Sequence, residues 1–336
     1  MIGDGQHALF RAICDATDEF VLITHMKPDG DALGSQVGLG KCLLDRGKSV
    51  RIVNEDPSPE TLRFIENPAL PVEIYEPRRH DSVLASAERI VLLDNSAPDR
   101  FGSMENAILR AADRTLCIDH HPARDAPWAE QIVDEQSCAT TVMIYDLVTA
   151  WGWTPDAKSA EAIYVGLVTD TGFFRFNSTN RHAHEVASEL LDLGVEPGRA
   201  YREIYERNSL AFARLLGHAL AGLRLDAGGA VATIRLDRGT IDRLNAEDVD
   251  TSEITTAQLA LDGVSVALLF RELEDGRVKV SLRSKGTVDL HRLAGEFGGG
   301  GHRNASGIVM AGPLDDAVRR VTDRVSSLLV GSAGSP

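Results

Sequence analysis

Long apolar runs are missing from this chain. No stretch approaches the ~20 consecutive apolar residues that cross a bilayer. The first ten residues carry no basic block followed by an apolar one, so neither a membrane span nor a secretory leader is expected. Cysteine is scarce: Cys14, Cys42, Cys117 and Cys138 lie far apart and form no Cys-x-x-Cys pair. That spacing suits reduced, buried thiols in a cytoplasmic protein rather than a disulfide framework. Positive charge is in deficit, with 35 Lys and Arg against 50 Asp and Glu, a net charge of -15. A long-duplex binder needs a broad basic face, so that class is excluded. A small phosphorylated substrate is not, because bound cations and a few arginines reverse the field within one cleft. Repeats and low-complexity tracts are also absent.

What is present is a chain of 336 residues, 43% apolar, enough for two packed cores. Phe20–Thr24, Val50–Asn54, Ile90–Asp94 and Thr115–Asp119 are short, nearly all-apolar runs, as in strands buried on both faces of a parallel sheet. Between and after them come helical patterns: Leu33–Arg46 stopped by Gly47, a helix from a Ser137 cap to Trp151, Ala160–Thr169, and the Ala183–Leu191 periodicity stopped by Gly194. The expected fold class is α/β, with an N-terminal open, mostly parallel sheet flanked by helices. Beyond a helical connector the pattern changes. Ala230–Leu236, Val264–Leu273, Arg277–Arg283 and Ser306–Met310 read as strands, with a hairpin signal at Asp275-Gly276. Thr287–Phe297 and Leu314–Leu329 read as helices. This predicts a smaller C-terminal α/β domain with a mixed sheet. The expected division is a catalytic domain over 1–195, a connector over 196–216 and a substrate-binding domain over 217–336.

Three buried strands finish in residues that ligate metals: His25 with Asp29 and Asp31 after the first, Asp94 at the end of another, and Asp119-His120-His121 after a third. Asp170 follows the Ala160–Thr169 helix. Ligands of open α/β sheets bind beyond the carboxyl ends of the strands, where these segments converge. Singly, each has an ordinary explanation. Asp94 suits a turn, Asp29-Gly30-Asp31 suits another, and adjacent histidines divide between core and surface. Together they are harder to explain, since gathered carboxylates repel unless a cation neutralises them. Carboxylates with imidazole and no cysteine favour Mn²⁺, Mg²⁺ or Zn²⁺, and two histidines tilt the choice to Mn²⁺.

Five motifs in order then resemble one family. They are His25-Met26-Lys27-Pro28-Asp29-Gly30-Asp31-Ala32-Leu33-Gly34-Ser35, Leu93-Asp94-Asn95-Ser96, Asp119-His120-His121, Gly166–Gly172, and Gly298-Gly299-Gly300-Gly301-His302 with Ala305-Ser306-Gly307. Their order and spacing are similar to those of DHH phosphoesterases with a DHH-associated C-terminal domain, nearest the bacterial nano-RNase group. Asn95 is a small departure that touches no expected ligand. The resemblance implies that His25 and Asp29 hold one Mn²⁺ and Asp31 and His120 a second, with Asp94 and Asp170 between them and Mg²⁺ as a substitute. It implies that Asp119 orients the histidines and His121 contacts the scissile phosphate or leaving oxygen. Two ions sharing a water would supply hydroxide for in-line attack.

In the second domain the glycine run reads as an anion cradle, since ordering four glycines is otherwise costly. The resemblance places Arg283, Ser284, Gly299, Gly300, Gly301 and His302 at the substrate. It implies hydrolysis of RNA oligomers two to five units long to mononucleotides, and of 3'-phosphoadenosine 5'-phosphate to AMP, by an enzyme compatible with a homodimer. Cyclic diadenylate is the rival substrate. The inorganic pyrophosphatase branch is disfavoured by the Gly298–His302 signature, and RecJ-like exonucleases by the room this chain offers. A non-catalytic nucleotide sensor is disfavoured because no ligand is missing.

Overall fold

The computed structural model describes residues 2–122 and 126–332, apart from the side chains of His302 and of residues 330–332. The chain divides into two compact units, Met1–Arg207 and Asn208–Pro336. In the first, the helices are α1 Asp4–Ala16, α2 Gly30–Asp45, α3 Pro77–Ser86, α4 Glu105–Leu109, α5 Thr140–Ala150, α6 Ala157–Asp170, α7 Arg181–Asp192 and α8 Pro197–Tyr205. Its strands are β1 Glu19–Ile23, β2 Ser49–Asn54, β3 Val72–Ile74, β4 Arg89–Leu93, β5 Thr115–Asp119 and β6 Glu130–Val133. They form one parallel sheet in the order β3-β2-β1-β4-β5-β6. The strand order reverses at β1, which pairs with β2 on one side and β4 on the other. A crevice opens beyond the carboxyl ends of strands at such a switch point. Among the described residues no helix is long and apolar enough to cross a membrane.

Both sheet faces are covered at its centre, which is why β1, β4 and β5 are almost wholly apolar. Leu22, Val91 and Ile118 pack towards Leu39, Met143 and Leu147. Val21, Ile90 and Cys117 pack towards Leu84, Phe101 and Met104. Helix α2 is buried along nearly its whole length, lying between the sheet and α6. The α2–α6 approach is very close because α2 offers glycine at every fourth position. A Cβ on Gly30 would lie 2.4 Å from Thr169 Oγ1, and one on Gly34 would lie 2.4 Å from the Ala162 carbonyl oxygen. One on Gly38 would lie 2.8 Å from Ile163 Cγ1. The helices run antiparallel, so the start of α2 meets the end of α6.

The second unit contains α9 Leu210–Ala221, β7 Arg224–Asp226, β8 Val231–Leu236, α10 Arg238–Leu244, α11 Ser252–Leu259, β9 Val266–Glu272, β10 Arg277–Ser284, α12 Leu290–Glu296, β11 Gly300–His302, β12 Ala305–Ala311 and α13 Leu314–Ser332. Its sheet is mixed, in the order β11-β12-β10-β9-β8-β7, with only β8 and β9 parallel. The β9–β10 hairpin turns at Asp275-Gly276, with Gly276 at φ +77°. One face packs α12 and α13, the other α9, α10 and α11. The expected connector consists of two helices, α8 in the first unit and α9 in the second.

Candidate metal centre

Each ligand-type side chain arrives on a different element. Asp29 caps α2, accepting the backbone N–H groups of Asp31 and Ala32 at 3.1 Å. That is the usual work of an N-cap aspartate, and it leaves Oδ2 facing His25 Nε2 at 3.9 Å. His25 follows β1, its Nδ1 donating to the Met26 carbonyl (2.8 Å). Its Nε2 is then a bare lone pair, 3.5 Å from Asp94 Oδ2. Asp94 leaves β4 with φ +62°, an uncommon conformation for a non-glycine residue and the kind that persists at sites built for a purpose.

A second group stands beside the first. His120 Nδ1 faces the Ser137 carbonyl (3.2 Å), so His120 also turns Nε2 inward. That atom is 3.3 Å from Asp170 Oδ2, 3.6 Å from Asp94 Oδ1 and 3.9 Å from Asp31 Oδ2. It is buried without a hydrogen-bond partner. His25, Asp29 and Asp94 offer ligand atoms within 4.8 Å of one another, as do Asp31, His120 and Asp170. Asp94 faces His25 with Oδ2 and both His120 and His121 with Oδ1. Asp170 is the last residue of α6 rather than a residue beyond it, and it groups with Asp31 and His120.

The electrostatics match a site that expects positive charge. Burial pushes the Asp94 carboxyl well above its usual range, and Asp31, Asp29 and Asp170 add to the shift. Asp170 is pushed up to about 7, by burial first and Asp31 second. Burial lowers His25. Burial acts the same way on His120, but Asp31 and Asp170 outweigh it and the imidazole is raised. An orphaned buried imidazole nitrogen among three carboxylates, with Asp29 and His25 beside them, fits a pair of divalent cations.

His121 adjoins these two groups: its Nδ1 lies 3.6 Å from Asp94 Oδ1, and Asp94, His120 and His121 also offer ligand atoms within 4.8 Å of one another. Asp119 Oδ1 accepts the backbone N–H of His121 (3.0 Å) and faces its Nδ1 (2.9 Å). Burial raises the Asp119 carboxyl, but the His121 hydrogen bonds overcome this and hold it below its usual value. With Nδ1 held, His121 presents Nε2 from a side chain 45% exposed.

In the second unit the glycine run has a backbone explanation. Gly298, at φ +74°, ends α12, and the next amide, of Gly299, bonds back to the Ala294 carbonyl. A Cβ on Gly299 would lie 2.3 Å from the Gly307 carbonyl oxygen. One on Gly301, at φ +140°, would lie 2.6 Å from that of Ala305. Gly298 and Gly300 both have open space where a Cβ would stand, and of the two only Gly300 lacks a positive φ. Ser284 Oγ accepts the Gly286 amide (3.0 Å), and Arg283 has no carboxylate partner among the described residues. The His302 side chain lies outside the described residues.

A family model described as "DHH family, N-terminal domain" matches residues 19–167, and one described as "DHHA1 domain" matches residues 229–330. The chain is 33% identical over 308 residues to "Bifunctional oligoribonuclease and PAP phosphatase NrnA" of Thermus thermophilus, covering 90% of this chain and 88% of the relative. The chain belongs to the DHH family. It is a metal-dependent phosphoesterase. A protein of the same description from Bacillus subtilis is 28% identical over 86% of this chain and 88% of its own length. Among solved structures, an exopolyphosphatase-related protein from Bacteroides fragilis superposes with a TM-score of 0.91 at 28% identity. That match covers 98% of this chain and 99% of the other.

Two residues of this DHH domain escaped the sequence analysis. The start of α5 points at the carboxylates. Thr140 and Thr141 donate their amides to Asp31 Oδ2 (2.6 Å) and Oδ1 (2.7 Å). The Thr141 hydroxyl donates to Asp31 as well (2.6 Å), and the Thr140 hydroxyl donates to Asp94 Oδ1 (3.0 Å). Asp31 thus serves as the missing cap of α5, whose own N-cap, Ala139, has no side-chain acceptor. The available signal was a pair of threonines opening an apolar helix. The expected Ser137 cap instead donates its hydroxyl to the Ala139 carbonyl.

Proposed function

We propose that the chain is a Mn²⁺-dependent phosphodiesterase and phosphatase of the cytoplasm. It hydrolyses short oligoribonucleotides to mononucleotides and 3'-phosphoadenosine 5'-phosphate to AMP. The observation that carries this reading is the pair of ligand groups, His25/Asp29/Asp94 and Asp31/His120/Asp170, joined through Asp94. The names of the Thermus and Bacillus relatives, matched over nearly their whole length, supply the substrate class. His25, Asp29, Asp31, Asp94, His120 and Asp170 would hold two Mn²⁺ ions, with Mg²⁺ as a substitute. Ions so held acidify water and neutralise phosphoryl charge.

The chain's own groups complete the chemistry. Carbonyls at Met26 and Ser137 fix the two inward imidazole tautomers. Asp119 fixes His121 so that Nε2 is available to the scissile phosphate or to the leaving oxygen. Arg283, Ser284, Gly300 and His302 of the DHHA1 domain would take the end of the substrate, Arg283 through a planar, charge-assisted contact to phosphate. Gly300 is the position in the glycine run with neither a crowded Cβ site nor a positive φ, and a ligand would approach there without displacing backbone.

The test is a panel with Mn²⁺: RNA of graded length, 3'-phosphoadenosine 5'-phosphate, cyclic diadenylate and pyrophosphate. The expected order places the linear dinucleotide pApA first, with AMP as product. A preference for cyclic diadenylate or pyrophosphate would overturn the substrate assignment. Asp94→Ala should abolish all turnover, and retained activity would overturn the site.

A further inference from the structure

The chain leaves α6 at Asp170 through an unusual turn. Gly172, Phe173 and Phe174 have φ of +56°, +55° and +63° in succession. A left-handed conformation crowds the Cβ of phenylalanine against backbone, so two in a row persist only where the surroundings hold them. Here they are held firmly. The Thr171 hydroxyl accepts the Phe174 amide (3.2 Å), and the Thr171 carbonyl accepts those of Arg175 (3.0 Å) and Phe176 (2.9 Å). The Phe173 ring packs edge-on against Tyr201 (5.1 Å) and Tyr205 (5.3 Å). The Phe174 ring stacks on His184 at 4.8 Å.

The two residues displayed by this pinned turn are both exposed. Phe176 is 47% accessible. Its ring lies over Gly172, where a Cβ would come within 2.6 Å of Cζ. That places the ring against a residue two positions from Asp170. The Arg175 guanidinium is 5.2 Å from the same ring, and it has no carboxylate partner among the described residues. In a chain with 50 acidic residues against 35 basic, an exposed arginine five positions after Asp170 with no carboxylate partner among the described residues is a notable charge to leave open. A flat apolar face next to a planar cation is the pairing that binds a base and its phosphate.

We propose that Arg175 and Phe176 form a nucleotide-recognition element. Phe176 stacks on a base of the substrate, and Arg175 contacts the phosphate beside that base. This rests on the proposed function for its substrate class, and it adds the part of the first unit that reads the nucleotide. Sequence tolerance follows, because every base offers a π-face to a stacking ring.

The test compares wild type with Phe176→Ala, Phe176→Tyr, Arg175→Ala and Arg175→Lys, using Mn²⁺. The substrates are pApA and an analogue with one base removed. A parallel fluorescence titration uses a 2-aminopurine dinucleotide, whose emission is quenched by stacking. Phe176→Ala should raise KM for pApA about tenfold, more than it lowers kcat, and should erase the preference over the base-less analogue. Phe176→Tyr should restore both. Arg175→Ala should weaken binding and reduce the salt slope by about one, with Arg175→Lys intermediate. Unchanged KM, discrimination and quenching in the Phe176 variants would overturn the inference while leaving the proposed function standing. Phe176-dependent quenching without hydrolysis of pApA would refute the function and keep the recognition element. Neither quenching nor hydrolysis in wild type would remove both.

Discussion

The hydroxyl of Thr140 donates to Asp94 Oδ1 across 3.0 Å, tying the first turn of α5 to the carboxylate that faces His25, His120 and His121. Thr140→Val keeps the shape and removes this donor. A buried acceptor left short of a partner costs about 1–3 kcal/mol. Losing the group that orients a metal ligand typically costs about 10–100-fold in affinity or activity. Calorimetric titration with Mn²⁺ and turnover of pApA should both register the loss. Wild-type values for both would show that Asp94 needs no such support.

Protonation in the centre gives the metal-free protein an inverted pH profile. Asp170 is pushed up to about 7, and Asp94 is raised too. An unfolded aspartate titrates near 4, so between about pH 4 and pH 7 these two carboxyls hold more protons in the folded chain than in the unfolded one. Stability of the EDTA-treated protein should therefore fall as pH rises through that window. Mn²⁺ replaces the protons, so its stabilising effect should grow over the same range. Asp170→Asn should flatten the metal-free slope. Thermal melts with and without Mn²⁺ decide this, and a metal-free stability that climbs with pH would contradict it.

Away from the centre, Glu73 should behave in the opposite way. Its carboxylate accepts from Arg51 Nε (2.9 Å) and Nη2 (2.8 Å) and is held down to about 2, chiefly by that bond and against the effect of burial. A depressed folded value contributes stability above the unfolded value near 4.5, which is lost as pH falls towards 2. Glu73→Gln should cost about 1–2 kcal/mol near neutrality, allowing for solvent around the exposed arginines. The melting-temperature gap from wild type should close in acid. A gap of constant size would assign the loss to packing.

His121 should separate from the ligand histidines in its effect. His121→Ala should lower kcat by about 10²–10⁴-fold while changing Mn²⁺ affinity much less, since general acids contribute on that scale. His120→Ala should lose metal affinity outright. Equal loss of Mn²⁺ binding in both variants would make His121 a ligand.

Glycine 34 tests the seam between α2 and α6. Gly34→Ala places a methyl 2.4 Å from a backbone oxygen that cannot rotate away. Overpacking of this kind costs about 1–3 kcal/mol. Gly217→Ala, in open space on α9, should instead gain up to about 1 kcal/mol. Chemical denaturation of the pair provides the comparison. A neutral Gly34→Ala would mean that the helices have room to part.

His25, Asp94 and Asp119 were legible in the sequence because buried parallel strands are apolar to their ends, so the first polar residue marks the sheet edge. Asp29 was found as a ligand type, but Asp29-Gly30-Asp31 reads as a turn ahead of a helix from Leu33, whereas Asp29 caps a helix that already begins at Gly30. Asp170 was found, but its place was misjudged by one residue, since Thr171-Gly172 reads as the turn that in fact begins after it. The contacts of Thr140 and Thr141 were not legible. They depend on Asp31, about 110 positions earlier, which only tertiary packing brings to α5. Strands β3, β7 and β11 have three residues each, too few for a period to show. The glycine run was given a single ligand-based reason. Three of its members answer instead to a helix end and to the close approach of β12, which no local pattern reveals.

The bare glycine face of α2 also determines what keeps the carboxylates of Asp31 and Asp170 in register. Where Gly30, Gly34 and Gly38 meet α6, the gauge between the helices is set by main-chain thickness, with little on the α2 side that can rotate. Repacking elsewhere in the core can drain stability while that gauge stays fixed. Drift in the core and the calibre of the reactive centre are thereby decoupled, and neutral substitutions can accumulate around the sheet without retuning the chemistry at its edge.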